Sequence, residues 1–317
     1  MNHPVAVIEG PAGAGAGEPC VVTIGVFDGV HRGHRALLAT ARAQADAAGL
    51  PLTVLTFDPH PMSVVRPEAA PCRLATLPHR ARLLVEAGAD SVRVVSFDSE
   101  LAALSPEEFV AEFLVRDLGA QLVVTGENFR FGHRAAGDTD LLAELGAPAG
   151  FQVVAVPLAA DDSAVWSSTR IRHLIATGDV TSAEIGLTRP HRVSGTVVRG
   201  DQRGRELGYP TANLAPAAGL CIPEDGVYAA WAVLDPDTDH ERAVPAAVSV
   251  GANATFGGTS ARIEAYLMEP GDWQLYDAPL AIDFVARIRG MVDFPTVEDL
   301  LVAMSGDVLA AERLLQG

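Results

Sequence analysis

Val21-Val-Thr-Ile-Gly-Val-Phe-Asp-Gly-Val-His-Arg-Gly-His34 starts as an apolar, β-branched run, passes through three glycines and ends where a helical pattern starts. The run at 21–26 reads as a buried strand. From His34 onward, Leu37, Leu38, Ala41, Ala45 and Ala48 fall on one stripe, and Gly49 follows as a left-handed stop. A strand that feeds a helix through such a turn presents backbone N–H groups and the positive end of the helix dipole to an anion. Gly25, Gly29 and Gly33 let backbone and ligand come close, and the rings of His31 and His34 can donate N–H groups to phosphate oxygens. An isolated His-x-x-His would more simply cap a helix. Strand, glycines and helix start together favour a phosphate site.

Working outward, further apolar runs at 52–57, 92–97, 122–125 and 153–156 read as parallel strands separated by helical segments. Ser105-Pro-Glu-Glu108 is a capping box with proline at the first helical position, opening a helix that closes near Gly119. This alternation predicts a doubly wound α/β sheet that binds ligands beyond its C-terminal strand ends. After about Leu187 the pattern changes. Runs at 192–198, 227–234, 243–250, 262–268 and 281–289 are separated by Gly, Pro and Asp clusters with no helix between them, which predicts an antiparallel sheet or small β-barrel. Thr296-Val-Glu-Asp299 caps a final helix, rich in Leu and Ala, expected to pack on the barrel. A chain of 317 residues exceeds the usual growth of one core, so the expected domains are 1–186 and 187–317.

Hydrophobic residues make up 49% and charged residues 20%, a globular balance. No apolar run approaches the roughly 18 residues that span a bilayer. The first twenty residues lack a basic segment followed by a sustained apolar one, so a cytoplasmic protein is expected. Cys20, Cys72 and Cys221 are odd in number and far apart, which suits neither a disulfide framework nor a metal site; they are expected to be buried small apolar residues. A net charge of −17 argues against nucleic-acid and anionic-membrane partners. There is no lysine, and all 23 basic side chains other than histidine are arginine. That excludes a Walker A lysine, a protein-kinase strand lysine and Schiff-base chemistry. Phosphates must be met by Arg, His, backbone N–H groups or a metal.

Here a resemblance becomes specific. Gly25-Val-Phe-Asp-Gly-Val-His-Arg-Gly-His34 resembles the HxGH signature of nucleotidyltransferases, and its companions narrow the likeness to the bifunctional riboflavin kinase/FAD synthetase family. The matching blocks, in order, are Phe57-Asp-Pro-His-Pro61, Leu104-Ser-Pro-Glu-Glu-Phe109, Gly126-Glu-Asn-Phe-Arg-Phe-Gly132 and Ser167-Ser-Thr-Arg-Ile-Arg172. The resemblance implies that the phosphate of FMN attacks the α-phosphate of ATP, with Mg²⁺ present and no covalent enzyme intermediate. It implies that Gly25, Phe27, Asp28, His31, Gly33 and His34 hold ATP, with both histidines catalytic. Asn128 would orient ATP, and Ser168, Thr169 and Arg172 would close on the triphosphate. Asp58, His60 and Pro61 would lie near the flavin. Independently, Ser167-Ser-Thr169 before Ile171, Leu174 and Ile175 reads as a helix N-cap.

In the second half, Gly200-Asp-Gln-Arg-Gly-Arg-Glu-Leu-Gly-Tyr-Pro-Thr-Ala-Asn213 offers Arg203 and Arg205 to phosphate and the oxygens of Thr211 and Asn213 to a hard cation. On its own it reads as a surface hairpin. It is similar to the Pro-Thr-Ala-Asn signature of riboflavin kinases, in which Gly204, Arg205, Pro210, Thr211 and Asn213 would bind ATP, with Thr211 and Asn213 on Mg²⁺. Arg262-Ile-Glu-Ala-Tyr-Leu267 alternates, placing Arg262, Glu264 and Tyr266 on one strand face. The resemblance makes Glu264 the base for the 5′-hydroxyl of riboflavin. The sequence departs from the family at Asn253-Ala-Thr-Phe256, Met268-Glu-Pro270 and Tyr276-Asp277, which touch flavin-side loops. The implied activity converts riboflavin to FMN and then FAD, with ATP as co-substrate. Two readings stand beside it: adenylylation alone with a degenerate barrel, and a flavin- or nucleotide-sensing protein without turnover.

Overall fold

The computed structural model describes residues 5–9, 17–160, 164–200, 208–252, 261–271 and 273–316. The chain forms two compact units: Met1–Pro71 with Leu77–Ser167, and Cys72–Thr76 with Ser168–Gly317.

The first unit is built on strands β2 (Cys20–Ile24), β3 (Leu52–Asp58), β4 (Ser91–Ser96), β5 (Ala120–Gly126) and β6 (Gln152–Val156). They pair in parallel in the order β4-β3-β2-β5-β6. A strand not anticipated from sequence, β1 (Val5–Glu9), adds antiparallel to the β4 edge. All five residues of β2 are buried. Alternation divides them: Cys20, Val22 and Ile24 enter the core on one face with Leu55 and Phe113, and Val21 enters the core on the other with Leu38 and Val54. Helix α1 (Arg32–Ala48) buries Leu37, Leu38, Ala41 and Ala45 and stops at Gly49, whose φ of 65° is left-handed as expected. Ala48, at the end of the same stripe, is exposed. Short α2 (Pro61–Val65) follows β3, and α3 (Leu77–Glu86) precedes β4. The capping box forms: Ser105 Oγ accepts from Glu108 N at 3.2 Å, and Glu108 Oε2 accepts from Ser105 N at 2.8 Å. It opens α4 (Pro106–Phe109), which continues as a wider π-type helix over Val110–Asp117. Helix α5 (Thr139–Ala149) leads into β6.

The second unit begins with α6 (Ser168–Ala176) and α7 (Val180–Leu187). Six antiparallel strands then close a barrel: β7 (His191–Val198), β8 (Thr211–Pro216), β9 (Gly226–Leu234), β10 (Arg242–Ala252), β11 (Ala261–Leu267) and β12 (Pro279–Arg289), in the order β10-β11-β8-β7-β12-β9. The segment read as a surface hairpin thus ends in a barrel strand, β8. Inward residues such as Val193, Leu214, Ala230, Val248, Ile263 and Phe284 form one core cluster. Arg192 forks onto both carboxylate oxygens of Asp283 at 2.7 and 2.8 Å and of Glu241 at 3.0 Å each. The final helix α8 (Val297–Gln316) packs on the barrel as expected, through Ala311 against Ala229 and Ala247. Arg289 and Asp307 lock it there with two bonds of 2.9 and 2.7 Å.

One expectation is overturned. Cys20 is free and buried, but Cys72 and Cys221 form a disulfide across 149 residues of sequence. Cys72 belongs to a short strap, 72–76, that folds into the second unit although it lies in the first half of the sequence. Arg73 N donates to Gly219 O at 2.7 Å, Cys221 N donates to Arg73 O at 2.8 Å, and Leu74 is buried with Ile171, Ile175 and Leu187. Sequence spacing is silent about such a pairing, because backbone bonds and a buried leucine deliver Cys72 to its partner.

Candidate active sites

Strand β2 ends at Ile24, and Gly25 N donates to Leu55 O at 3.1 Å, tying the start of the turn to β3. The backbone then becomes left-handed at Phe27 (φ 51°), Gly29 (φ 81°) and Val30 (φ 40°). Such φ values at non-glycine residues cost about 1–3 kcal/mol each and persist only where the surroundings over-determine them. Here the surroundings do so: Phe27 and Val30 are buried in one core cluster, and Val30 N donates to Phe27 O at 3.1 Å. Asp28 is buried between them in sequence.

His31 is the N-cap of α1, its Nδ1 accepting from Gly33 N at 3.1 Å and His34 N at 3.4 Å. With Nδ1 an acceptor, the ring proton sits on Nε2. The rings of His31 and His34 stack at 3.7 Å, and His34 meets the ring of Phe27 edge-on at 5.2 Å. A Cβ on Gly33 would lie 3.1 Å from both the His31 ring and Trp166 O, so a side chain there would press on both neighbours. Two helix N–H groups that the sequence offered to an anion are taken by His31.

On the next strand, Asp58-Pro59 is a cis peptide, and His60 caps α2 by accepting from Met62 N at 3.1 Å. Pro61 and Met62 line a cavity of about 910 Å³ that Gly25 and Val26 also border. Its walls carry Phe57, Phe97, Phe109, Phe129 and Phe131, and its other lining residues include Arg66, Arg130, His133 and Arg134. Phe129 and Phe131 stack at 5.5 Å with planes 10° apart. Asn128 is exposed on the turn after β5, next to this wall. These aromatic residues were missed as site residues, although the alternation in Phe129-Arg-Phe131 was the available signal. The turn and the cavity gather at the C-terminal ends of β2, β3 and β5, where strand order reverses.

Ser168, Thr169 and Arg172 lie on α6, which clusters with the second unit. Arg172 Nε donates to Cys72 O at 2.7 Å.

In the barrel, Thr211 pairs with Tyr266 and Asn213 with Glu264 across β8 and β11, while Glu264 pairs with Ser249 across β11 and β10. Directly opposed residues of antiparallel strands share a face. Ile263, Ala265 and Leu267 are buried, so Arg262, Glu264, Tyr266, Thr211 and Asn213 occupy the outer face together. Arg262 Nε lies 2.5 Å from Glu264 Oε1, and Tyr209 packs edge-on against Tyr266 at 5.2 Å after Pro210 leads into β8. A Cβ on Gly200 would fall 2.3 Å from Asn213 Nδ2, so the chain leaving β7 passes directly over that side chain. Gly204 and Arg205, with Arg203, lie outside the described residues, as does the departure at 253–256. Among the described residues no group of three or more His, Cys, Asp or Glu could hold a metal. A hard cation here would take the oxygens of Thr211 and Asn213 and those of a nucleotide phosphate, a donor set that suits Mg²⁺.

Comparison with known proteins divides the chain in the same sense. A family model described as FAD synthetase matches residues 15–170, and one described as riboflavin kinase matches residues 187–315. Curated proteins named bifunctional riboflavin kinase/FMN adenylyltransferase are similar over nearly the whole length. The one from Pseudomonas fluorescens is 38% identical and that from Escherichia coli (strain K12) 35%, each over 93% of both chains. That from Bacillus subtilis (strain 168) is 31% identical over 92% of both. A crystal structure described as a macrolide-efflux protein from Streptococcus pneumoniae superposes with a TM-score of 0.84 at 30% identity, over 95% of this chain and 96% of that one. Among the described residues of the present chain, no helix is long and apolar enough to cross a membrane.

Proposed function

The chain belongs to the bifunctional riboflavin kinase/FMN adenylyltransferase family, and from that premise we propose how its own residues divide the two reactions. It phosphorylates riboflavin to FMN with ATP, then adenylylates FMN to FAD with release of pyrophosphate. We assign phosphorylation to residues 187–317 and adenylylation to residues 1–186. The substrates are riboflavin, FMN and ATP, with neither nucleic acid nor membrane as partner, and the setting is the cytoplasm.

For adenylylation, a phosphate oxygen of FMN attacks the α-phosphorus of ATP, and the bond to the departing pyrophosphate breaks. No side chain forms a covalent bond; the residues position the reactants and stabilise charge. His31 and His34 donate to triphosphate oxygens above the Gly25–Gly33 turn, with Phe27 and Asp28 shaping it, and Asn128 orients the nucleotide. Ser168, Thr169 and Arg172 supply further phosphate contacts from the start of α6. The aromatic cavity takes the flavin ring beside Pro61, flanked by Asp58 and His60, and its arginines suit the phosphate of FMN.

For phosphorylation, Glu264 accepts the proton of the riboflavin 5′-hydroxyl as that oxygen attacks the γ-phosphorus of ATP and ADP departs. Pro210, Thr211 and Asn213, with Gly204 and Arg205, hold the nucleotide. Mg²⁺ bound at Thr211 and Asn213 would neutralise phosphate charge. The observation that carries this reading is the register that sets Glu264 directly opposite Asn213 and Tyr266 opposite Thr211. Incubation of the pure protein with riboflavin, Mg²⁺ and ATP should yield FMN first and FAD after it. FAD from supplied FMN but no FMN from riboflavin would restrict the chain to adenylylation.

A further inference from the structure

We infer that Arg80 is a positioning residue for adenylylation, holding the turn after β2 to the end of β3 so that the phosphate turn and the flavin-side turn keep their geometry. The inference rests on the assignment of that reaction to the Gly25–His34 turn and the adjoining cavity. Arg80 lies on the buried face of α3 with only 3% of its surface exposed. Its Nη1 donates to Val26 O at 3.2 Å, and its Nη2 donates to Phe57 O at 2.9 Å and reaches Asp58 Oδ1 at 3.4 Å. One guanidinium thus grips the turn just past β2, at Val26, and the end of β3, at Phe57 and Asp58.

Placing such a group in the interior is costly unless its donors are used, and an apolar side chain of similar volume would fill the same space at least as well. The fork therefore marks a specific need. That need is visible in the residues just beyond each gripped carbonyl. Val26 O, which also accepts from Thr56 Oγ1 at 3.1 Å, precedes the left-handed residues Phe27 and Val30. Phe57 and Asp58 lead into His60, whose ring caps α2. Val26 and Phe57 both border the aromatic cavity. A turn with left-handed non-glycine residues relaxes when an anchor at its base is lost, and misplacement of a phosphate donor by about 1 Å can cost roughly 100-fold in rate.

The test compares Arg80→Met, which keeps the packing, with Arg80→Lys, which keeps the charge and can reach one carbonyl at a time. Measured together are kcat and KM for FAD formation from FMN, the rate of riboflavin phosphorylation, and thermal unfolding. Arg80→Met should lower the kcat of FAD formation by about 10- to 100-fold with phosphorylation unchanged, and Arg80→Lys should recover part of that loss. Wild-type kcat in Arg80→Met would overturn the inference. So would equal losses in both variants that track a lost folded fraction, since Arg80 would then be structural only. His31→Ala, run in parallel, separates the two levels: if it too left FAD formation intact, the site assignment would fall rather than the role of Arg80 within it.

Discussion

At the end of β2 the backbone leaves the regular regions within three residues, with Phe27 and Val30 both left-handed, whereas Thr211, Asn213 and Glu264 occupy ordinary positions on adjacent antiparallel strands. The first site is set by a turn whose shape depends on buried side chains, a histidine cap and anchored carbonyls. The second is set by register, which a closed barrel enforces along every strand. The difference predicts how each responds to substitution. In the barrel an isosteric change should remove one chemical group and leave the geometry intact. At the turn, almost any change alters both chemistry and backbone.

Glu264→Gln gives the sharpest test of the barrel half. The amide keeps shape and volume but cannot accept the hydroxyl proton, and removal of a general base typically costs about 10² to 10⁴ in rate. FMN synthesis from riboflavin should fall by that range, while unfolding temperature and conversion of FMN to FAD stay at wild-type values. A loss limited to a few-fold would make Glu264 a solvated strand residue paired with Arg262.

The turn should behave differently. His31→Ala removes a ligand donor and the N-cap of α1 together, so FAD formation should drop by about 10² to 10³ and stability by about 0.5–2 kcal/mol. His34→Ala leaves the cap intact, because His31 Nδ1 can still accept from the backbone N–H groups of residues 33 and 34. It should show the rate loss with little of the stability loss. Equal melting temperatures for the two variants would break the claim that capping and chemistry are joined at His31.

Legibility in the sequence followed the same division. The β2-turn-α1 unit could be read because strand, glycine spacing and helix stripe are local signals, and the capping box at Ser105 likewise forms from adjacent residues. Alternation predicted the shared face of Arg262, Glu264 and Tyr266. What could not be read was non-local. The aromatic cavity draws on Phe57, Phe97, Phe109, Phe129 and Phe131 from separate segments. Arg80 looks like any helix arginine until the turn after β2 and the end of β3 are placed beside it. Strand β1 is a short run beside an Ala/Gly-rich stretch, and its pairing with β4 is a tertiary choice. The disulfide is the extreme case, since Cys72 reaches Cys221 only through the strap.

That strap supplies the smallest expected effect on activity and the last comparison of the halves. Both cysteines lie in the second unit, so the bond should stabilise that unit and leave the first untouched. Native disulfides that close long loops typically contribute about 2–4 kcal/mol, roughly 5–15 °C in melting temperature for a unit of this size. Cys72→Ser exposes a small hydroxyl at an already exposed position, whereas Cys221→Ser places one in a buried cluster. The first variant therefore isolates the crosslink. In calorimetry it should lower the transition assigned to the barrel, and a thiol reductant should lower the wild-type transition by the same amount without shifting the variant. Rates of both reactions should change by no more than about threefold at temperatures below melting, because neither cysteine side chain is assigned to either proposed reaction site. Coincident melting of wild type and Cys72→Ser with and without reductant would show that the backbone bonds at Arg73 and the burial of Leu74 hold the strap unaided.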